Sequence, residues 1–329
     1  MHADKPFLHY DSSWLSSFYK TSSNKENMLR SNDKISVAPY EVLFDYRKHC
    51  LPDWGICRYV GEYQLPNELI PIKERTLAFF HNNGLLYKGD NTCPRLKNCI
   101  VENGKLILYI EKASYYDQVA TNLSLDYPLN GQESALLGAN TLREWDMVQS
   151  DTPKDNLPTL ESSKLANTIG VALGVIVKNK QGEKIFLTRQ RTSTVAVAAN
   201  KHVLPFSFSL NFEPSDFTIG QEKSFFELIK PDFINEQAEE LGIESDLFNF
   251  ENVKPLALCR ELCRGGKPQL FCEIELNIYF EEITKRITEN ILPQKEFTNT
   301  LQRFTLLKAQ NAFDTLSPEM KGFVALKGE

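Results

Sequence analysis

The chain has 329 residues, room for one large domain or two, with 42% hydrophobic and 24% charged residues, the balance of an ordinary soluble globular protein. Lys plus Arg number 37 against 43 Asp plus Glu, and the net charge of −6 disfavours a nucleic-acid backbone as partner while leaving a local basic loop able to take a small anion. No apolar run approaches the roughly 18–20 residues of a membrane helix, and MHADKPFLHYDSS lacks the apolar centre of a signal peptide, so no membrane partner and a cytoplasmic location are expected.

Residues 12–20 suit a short helix, and 20–36 is polar and surface-like. LKNCIVENGKLILYIEK (96–112) reads as two strands around Asn103-Gly104, a strong hairpin signal. The paired tyrosines of ASYYDQVATN, which follows, are expected to pack rather than bind. VQSDTPKDNLPTLESS (148–163) is rich in Asp, Ser, Thr and Pro and poor in large apolar residues. It divides the expectation into an α+β domain of unassigned type (1–150), a linker (151–164) and a second domain (165–329). The seven cysteines include no C-x-x-C pair, and the spacing of Cys50, Cys57, Cys93 and Cys99 is too loose for the common structural zinc sites. Reduced, mostly buried thiols are expected.

The second half is easier to read. TIGVALGVIVKN is a strand, KQG a turn, and EKIFLTRQR a strand ending in Arg189 and Arg191. HVLPFSFSLNFEP leads into an acidic helix. KPLALCREL and PQLFCEIELNIYF are strands joined by CRGGK. A helical EEITKRITEN, a strand RFTLLK and a last helix after Ser317-Pro318 complete the chain. Strands mixed with helices, without regular alternation, predict an α/β (α+β) fold with a mixed sheet between helical layers.

INEQAEELGI (234–243) places Glu236, Glu239 and Glu240 close together on a helix that stops at a glycine, with Ile234, Ala238 and Leu241 opposite as its buried stripe. Carboxylates four apart repel by a few tenths of a kcal/mol in a bare helix, and no lysine or arginine between 231 and 250 dilutes them. The face is either simply acidic or carries a cation.

A strand hairpin ending in arginine, a proline-containing turn and a glutamate-rich helix closing on glycine resemble a Nudix hydrolase domain over about 165–329. That family's signature is G-x5-E-x7-R-E-U-x-E-E-x-G-U, with U aliphatic. Here it meets Glu227, then Asn235-Glu236-Gln237-Ala238-Glu239-Glu240-Leu241-Gly242-Ile243. The resemblance implies an α/β/α sandwich in which Glu239 and Glu240 bind Mg²⁺ or Mn²⁺ and Glu236 is a further ligand or the base for the attacking water. Hard divalent ions do take carboxylate oxygens alongside substrate phosphates. Glu227, two and a half turns before Glu236, is read as structural. The chain departs from the pattern at Asn235, where the family has arginine, at Gln221, where it has glycine, and in SFSLNFE (207–213), where relatives carry glycines. Pro231 suits a first turn, so the helix is expected to begin there.

CRELCRGGKPQ (259–269) sets Arg260, Arg264 and Lys267 around Gly265-Gly266 and reads as a phosphate or carboxylate loop at an exposed hairpin tip, or as a plain basic turn. Arg189, Arg191, Arg264 and Lys267 are the candidate substrate cations, and Phe206 a candidate base-stacking ring. The implied function is metal-dependent hydrolysis of a pyrophosphate bond in a nucleoside diphosphate linked to another group. The alternative is a Nudix-like sensor that binds a nucleotide-like ligand without turning it over. The composition allows an oligomer.

Overall fold

The computed structural model of the protein describes residues 8–19, 28–30, 37–86, 89–152, 156–192, 198–213, 217–236, 247–290 and 301–328, with Ser12, Ser16, Val37, Glu236 and residues 287–290 by their backbone. The first half contributes α1 (Ser12–Phe18), β1 (Met28–Arg30), β2 (Val37–Asp45), β3 (Ile56–Glu62), α2 (Ile70–Asn82), β4 (Thr92–Glu102), β5 (Lys105–Ser114), α3 (Tyr115–Ala120), α4 (Gly131–Leu137) and α5 (Leu142–Gln149). The second contributes β6 (Gly170–Lys178), β7 (Lys184–Gln190), β8 (His202–Val203), β9 (Phe206–Ser209), β10 (Glu222–Ser224), α6 (Phe225–Glu236), β11 (Lys254–Glu261), β12 (Lys267–Tyr279), α7 (Phe280–Asn290), β13 (Gln302–Phe304), α8 (Leu306–Asn311) and α9 (Pro318–Gly328).

Among the described residues these strands form two mixed sheets. The larger runs β1-β2-β11-β12-β6-β7-β13, with β9 on β6 and β8 on β7; the smaller runs β10-β3-β5-β4. Each holds one parallel pair, β12 with β6 and β3 with β5, among antiparallel neighbours. The fold is mixed α/β, as expected. The 151–164 division does not coincide with a division between sheets. β2, from before it, pairs β11, from after it, and β10 pairs β3. The segment is also anchored: Leu157, Leu160 and Ser163 are buried, Arg95 donates to the carbonyls of Ser163 and Leu165, and Asp146 accepts from Ser163 Oγ and Lys164 N.

β6 (GVALGVIVK) is a continuous apolar run because both of its faces are covered. Its alternation sends Val171, Leu173, Val175 and Val177 into one core with Phe225, Ile229 and Phe233 of α6, and Ala172 and Ile176 into another with Phe323 and Val324 of α9. Helices α6 and α9 therefore cover opposite faces of the large sheet. Close approach of α9 needs two glycines. A Cβ on Gly174 would lie 2.1 Å from the Phe323 ring, and one on Gly322 would lie 2.5 Å from Phe271.

Local expectations fare unevenly. The β4–β5 hairpin turns at Asn103 and Gly104, both with positive φ. RFTLLK is not one strand: β13 stops at Phe304, and the Thr305 side chain, accepting from Lys308 N, starts α8. Helix α6 begins at Phe225 rather than Pro231, which lies inside it at an exposed position. Six apolar or aromatic residues between 225 and 234 carry the helix past the missing N–H. All seven cysteines are free and five are buried. No helix among the described residues is long and apolar enough to cross a membrane.

Candidate functional site

Helix α6 presents the acidic segment. Its buried stripe is Phe225, Ile229 and Phe233, at the helical spacing, with Phe233 ring-packed against Phe208 and Phe250. Ile234, expected on the buried side, is 49% exposed. The two bulkier phenylalanines set the phase of the helix and turn Ile234 outward. Glu227 is exposed and Asn235 is exposed. Glu239 and Glu240, with Ala238 and Leu241, lie outside the described residues, as does the side chain of Glu236.

One turn earlier the helix carries a buried acid that sequence reasoning missed. Asp232 is 5% exposed and accepts from Asn211 N (2.9 Å) and Asn211 Nδ2 (2.8 Å). Burial raises its pKa, against the pull of those two donors. The pair fastens the SFSLNFE turn to α6. The available signal was an aspartate three residues after Ile229, on the apolar side of the helix.

The donor chemistry at the end of α6 suits a hard divalent cation: three carboxylates within five residues, with no basic residue from 231 to 250 to compete. Among the described residues no group of three His, Cys, Asp or Glu side chains is arranged for a metal. The expected ligands fall outside that set.

The other expected site residues do not form one exposed surface. Phe206 has no exposed surface and packs against Phe248, so it is a core residue. The pleat points it inward: on β9 it pairs Leu173 of β6, which faces the α6 core. Arg189 is also buried. It follows Ile185 and Leu187 in the strand alternation and so shares the α6 face of the sheet. Arg191 lies beyond the end of β7, where its charge acts on Glu319 of α9.

The basic hairpin is the largest correction. Arg264 and Lys267, expected at an exposed tip, are 7% and 1% exposed. The turn is covered because Arg143, buried on α5, reaches its backbone. Arg143 holds Asp126 with two hydrogen bonds (2.6 and 2.7 Å) and donates to the carbonyls of Leu262 (2.8 Å) and Cys263 (2.7 Å). Gly265 takes φ +65° with Leu125 and Leu165 packed against it. Arg264 Nη2 donates to Glu319 Oε1 (2.5 Å), and Arg264 Nε lies 3.3 Å from Glu261 Oε1. Arg260 is paired with Glu41 and donates to the Pro158 carbonyl.

Electrostatics in this cluster follow burial first. Burial, reinforced by Arg264, lowers Lys267 to about 7 despite Glu261 and Glu319. Burial raises Glu261, outweighing Arg264. At Glu319 burial is overcome by Arg264 and Arg191, which bring its carboxyl to about 2. The pleat places Lys267 on the α9 face of β12: Leu270, Cys272 and Ile274 belong to the α6 core and Phe271 to the α9 core. Structure thus brings Arg191, Arg264 and Lys267 together around two glutamates, on the sheet face opposite α6 and Arg189.

No family model matches the chain, and no curated protein is similar to it. Among solved structures, that of DR0079 from Deinococcus radiodurans is similar at 14% identity over 48% of this chain and 82% of its own, with a TM-score of 0.32. At that score the likeness carries no argument about fold or function.

Proposed function

We propose that the protein is a metal-dependent Nudix-type pyrophosphohydrolase acting on a nucleoside diphosphate linked to another group. The observation that supports this reading is the layering of the large mixed sheet. α9 covers one face, and α6, whose end opens the Glu236–Glu240 run, covers the other. Glu239 and Glu240 hold Mg²⁺ or Mn²⁺, and Glu236 is a third ligand or takes the proton of the attacking water. Once bound, the ion supplies charge neutralisation on the phosphates and a more acidic water. Of the expected substrate cations, Arg264 and Lys267 stand on the other face of the sheet, and Arg189, on the α6 face, is buried. The P–O–P bridge breaks and water supplies the new oxygen, leaving a nucleoside monophosphate and a phosphorylated second group.

A weaker enzyme or a sensor is the second reading, and Asn235 favours it. It occupies the position of the family's arginine, it is exposed, and an amide brings no charge to hold a catalytic glutamate.

One experiment separates the readings. With Mn²⁺ and a panel of nucleotide sugars, dinucleotides and nucleoside triphosphates, the enzyme turns over at least one compound. Glu236→Gln then lowers the rate by orders of magnitude, and Glu240→Gln abolishes the metal-induced rise in Tm that binding to the folded state produces. A sensor gains stability from a compound it does not consume. Neither turnover nor a shift in Tm across the panel removes both readings.

A further inference from the structure

On its α9 side the large sheet ends in a polar row. Tyr40 of β2, Glu261 of β11 and Lys267 of β12 stand opposite one another in register. Gln269 follows two residues after Lys267 on the same face, beside Gly170 of β6. A Cβ on Gly170 would lie 2.5 Å from both Lys267 Nζ and Gln269 Oε1, so glycine makes the space for these two side chains. Glu319 enters from the first turn of α9, Arg264 from the hairpin turn, and Tyr10 from the segment ahead of α1.

Six buried polar atoms in this one cluster have no hydrogen-bond partner among the described residues: Tyr10 OH, Tyr40 OH, Glu261 Oε2, Arg264 Nε, Gln269 Nε2 and Glu319 Oε2. Lys267 feels the charges of both glutamates and is itself 1% exposed. Leaving a buried polar group unmatched is costly, and Arg264 Nε has only its 3.3 Å approach to Glu261 Oε1, so the six together specify the hydrogen bonds of an occupant. Two of the atoms are pure acceptors, one oxygen on each glutamate. The arginine and glutamine nitrogens are pure donors, as is the Lys267 ammonium beside the six, and the two phenols donate or accept.

We propose that this cluster binds dihydrogen phosphate. Its two P–OH groups donate to Glu261 Oε2 and Glu319 Oε2, and its two other oxygens accept from Lys267, Arg264, Gln269 and the tyrosines. A fully ionised oxyanion has no proton to give and would set its oxygens against both carboxylates. A cation would meet Arg264 and Lys267. Among the described residues, Cys263, which donates to Glu261 Oε1 (3.3 Å), Cys93 and Arg191 are further titratable or charged groups at the cluster, with Lys321 near Cys263. The site lies on the opposite face of the sheet from α6 and stands whether or not the glutamates of 236–240 hold a metal.

Calorimetric titration of the full chain with sodium phosphate, in chelator and at constant ionic strength, tests the assignment independently of any hydrolysis. Phosphate binds at about pH 6 and at least about tenfold more weakly at about pH 8.5, because phosphate and Lys267 both lose protons over that interval. Sulfate binds at least about tenfold more weakly than phosphate, as the loss of charge-assisted hydrogen bonds requires. Glu261→Gln replaces an acceptor by a donor and narrows the phosphate-to-sulfate ratio, a change a purely structural glutamate would not produce. Lys267→Met weakens phosphate; if that variant fails to fold, the wild-type ratio and Glu261→Gln still decide. Methyl phosphate, with one P–OH fewer, binds more weakly than phosphate. Methyl phosphate binding as tightly or more tightly overturns free phosphate as the ligand. No phosphate heat at millimolar concentration, or equal binding of sulfate, overturns the site.

Discussion

Lys267 and Asp146 are buried side chains whose protonation is displaced toward neutrality, and they act in opposite directions. Lys267 is held at about 7, first by burial and then by Arg264, whereas an unfolded lysine titrates at about 10.4. Between those values the unfolded chain binds the proton and the folded chain does not. Stability therefore rises with pH from about 7 to about 10 and is flat in this contribution below 7. Asp146 is raised to about 6, by burial over the opposition of Lys164 N and Ser163, from an unfolded value near 3.9. Its contribution is fully present below about 4 and is lost as pH rises through about 6. Urea unfolding across the pH range should show both slopes, each amounting to a few kcal/mol at most. Lys267→Met should flatten the alkaline slope alone, and Asp146→Asn the acidic slope alone. Unchanged slopes in both variants would show that these groups titrate normally.

At the scale of elements, the contact of α9 with the sheet is close, and it depends on missing side chains. Gly174→Ala puts a methyl 2.1 Å from the Phe323 ring, which is itself enclosed by Phe186 and the rest of that core. Neither β6, at the centre of the sheet, nor the ring has room to yield. The expected cost is about 1–3 kcal/mol or more, the usual range for overpacking a core, and it is read as a lower Tm with no change in helix content. Gly174→Ala combined with Phe323→Leu should recover part of the loss, since the smaller side chain leaves space for the methyl. A Gly174→Ala protein as stable as wild type would mean that α9 does not sit this close. The hairpin between β11 and β12 shows the same dependence on a neighbour. Its turn looks exposed in sequence, but α5 supplies Arg143 to two of its carbonyls.

Across the whole molecule, strands from both sides of residue 150 share both sheets, and their apolar faces share one core. That core joins Phe44, Trp54, Tyr59 and Leu108 to Val171, Phe225 and Leu270. A fragment of residues 165–329 would expose the β11 edge that β2 covers and the surfaces that Phe44 and Trp54 fill. It is expected to lack a cooperative urea transition. Cooperative unfolding of that fragment alone would show that the second half is an independent domain after all.

Residues and neighbours in sequence determined the elements. The apolar runs of β6 and β7, the Asn103-Gly104 turn, the short helix near residue 12 and the helix after Ser317-Pro318 follow from local preference and appear where expected. Only the start of the acidic segment, residues 234–236, falls within the described part of α6, and there Ile234 faces outward because Phe225 and Phe233 set the phase of the helix. What only the tertiary structure decided is which residues meet. An arginine and a lysine beside two glycines look like a solvated tip in any local reading. Their burial comes from α5, α9 and the segment around Tyr10, which are more than a hundred residues away along the chain or reach the hairpin from the opposite direction. Pairing of β2 with β11 is equally invisible locally, since a strand's pattern records that one face is buried and not against what. Sequence determines propensity and pattern at short range; the polar row beneath α9 exists only once long-range burial has removed its charges from water.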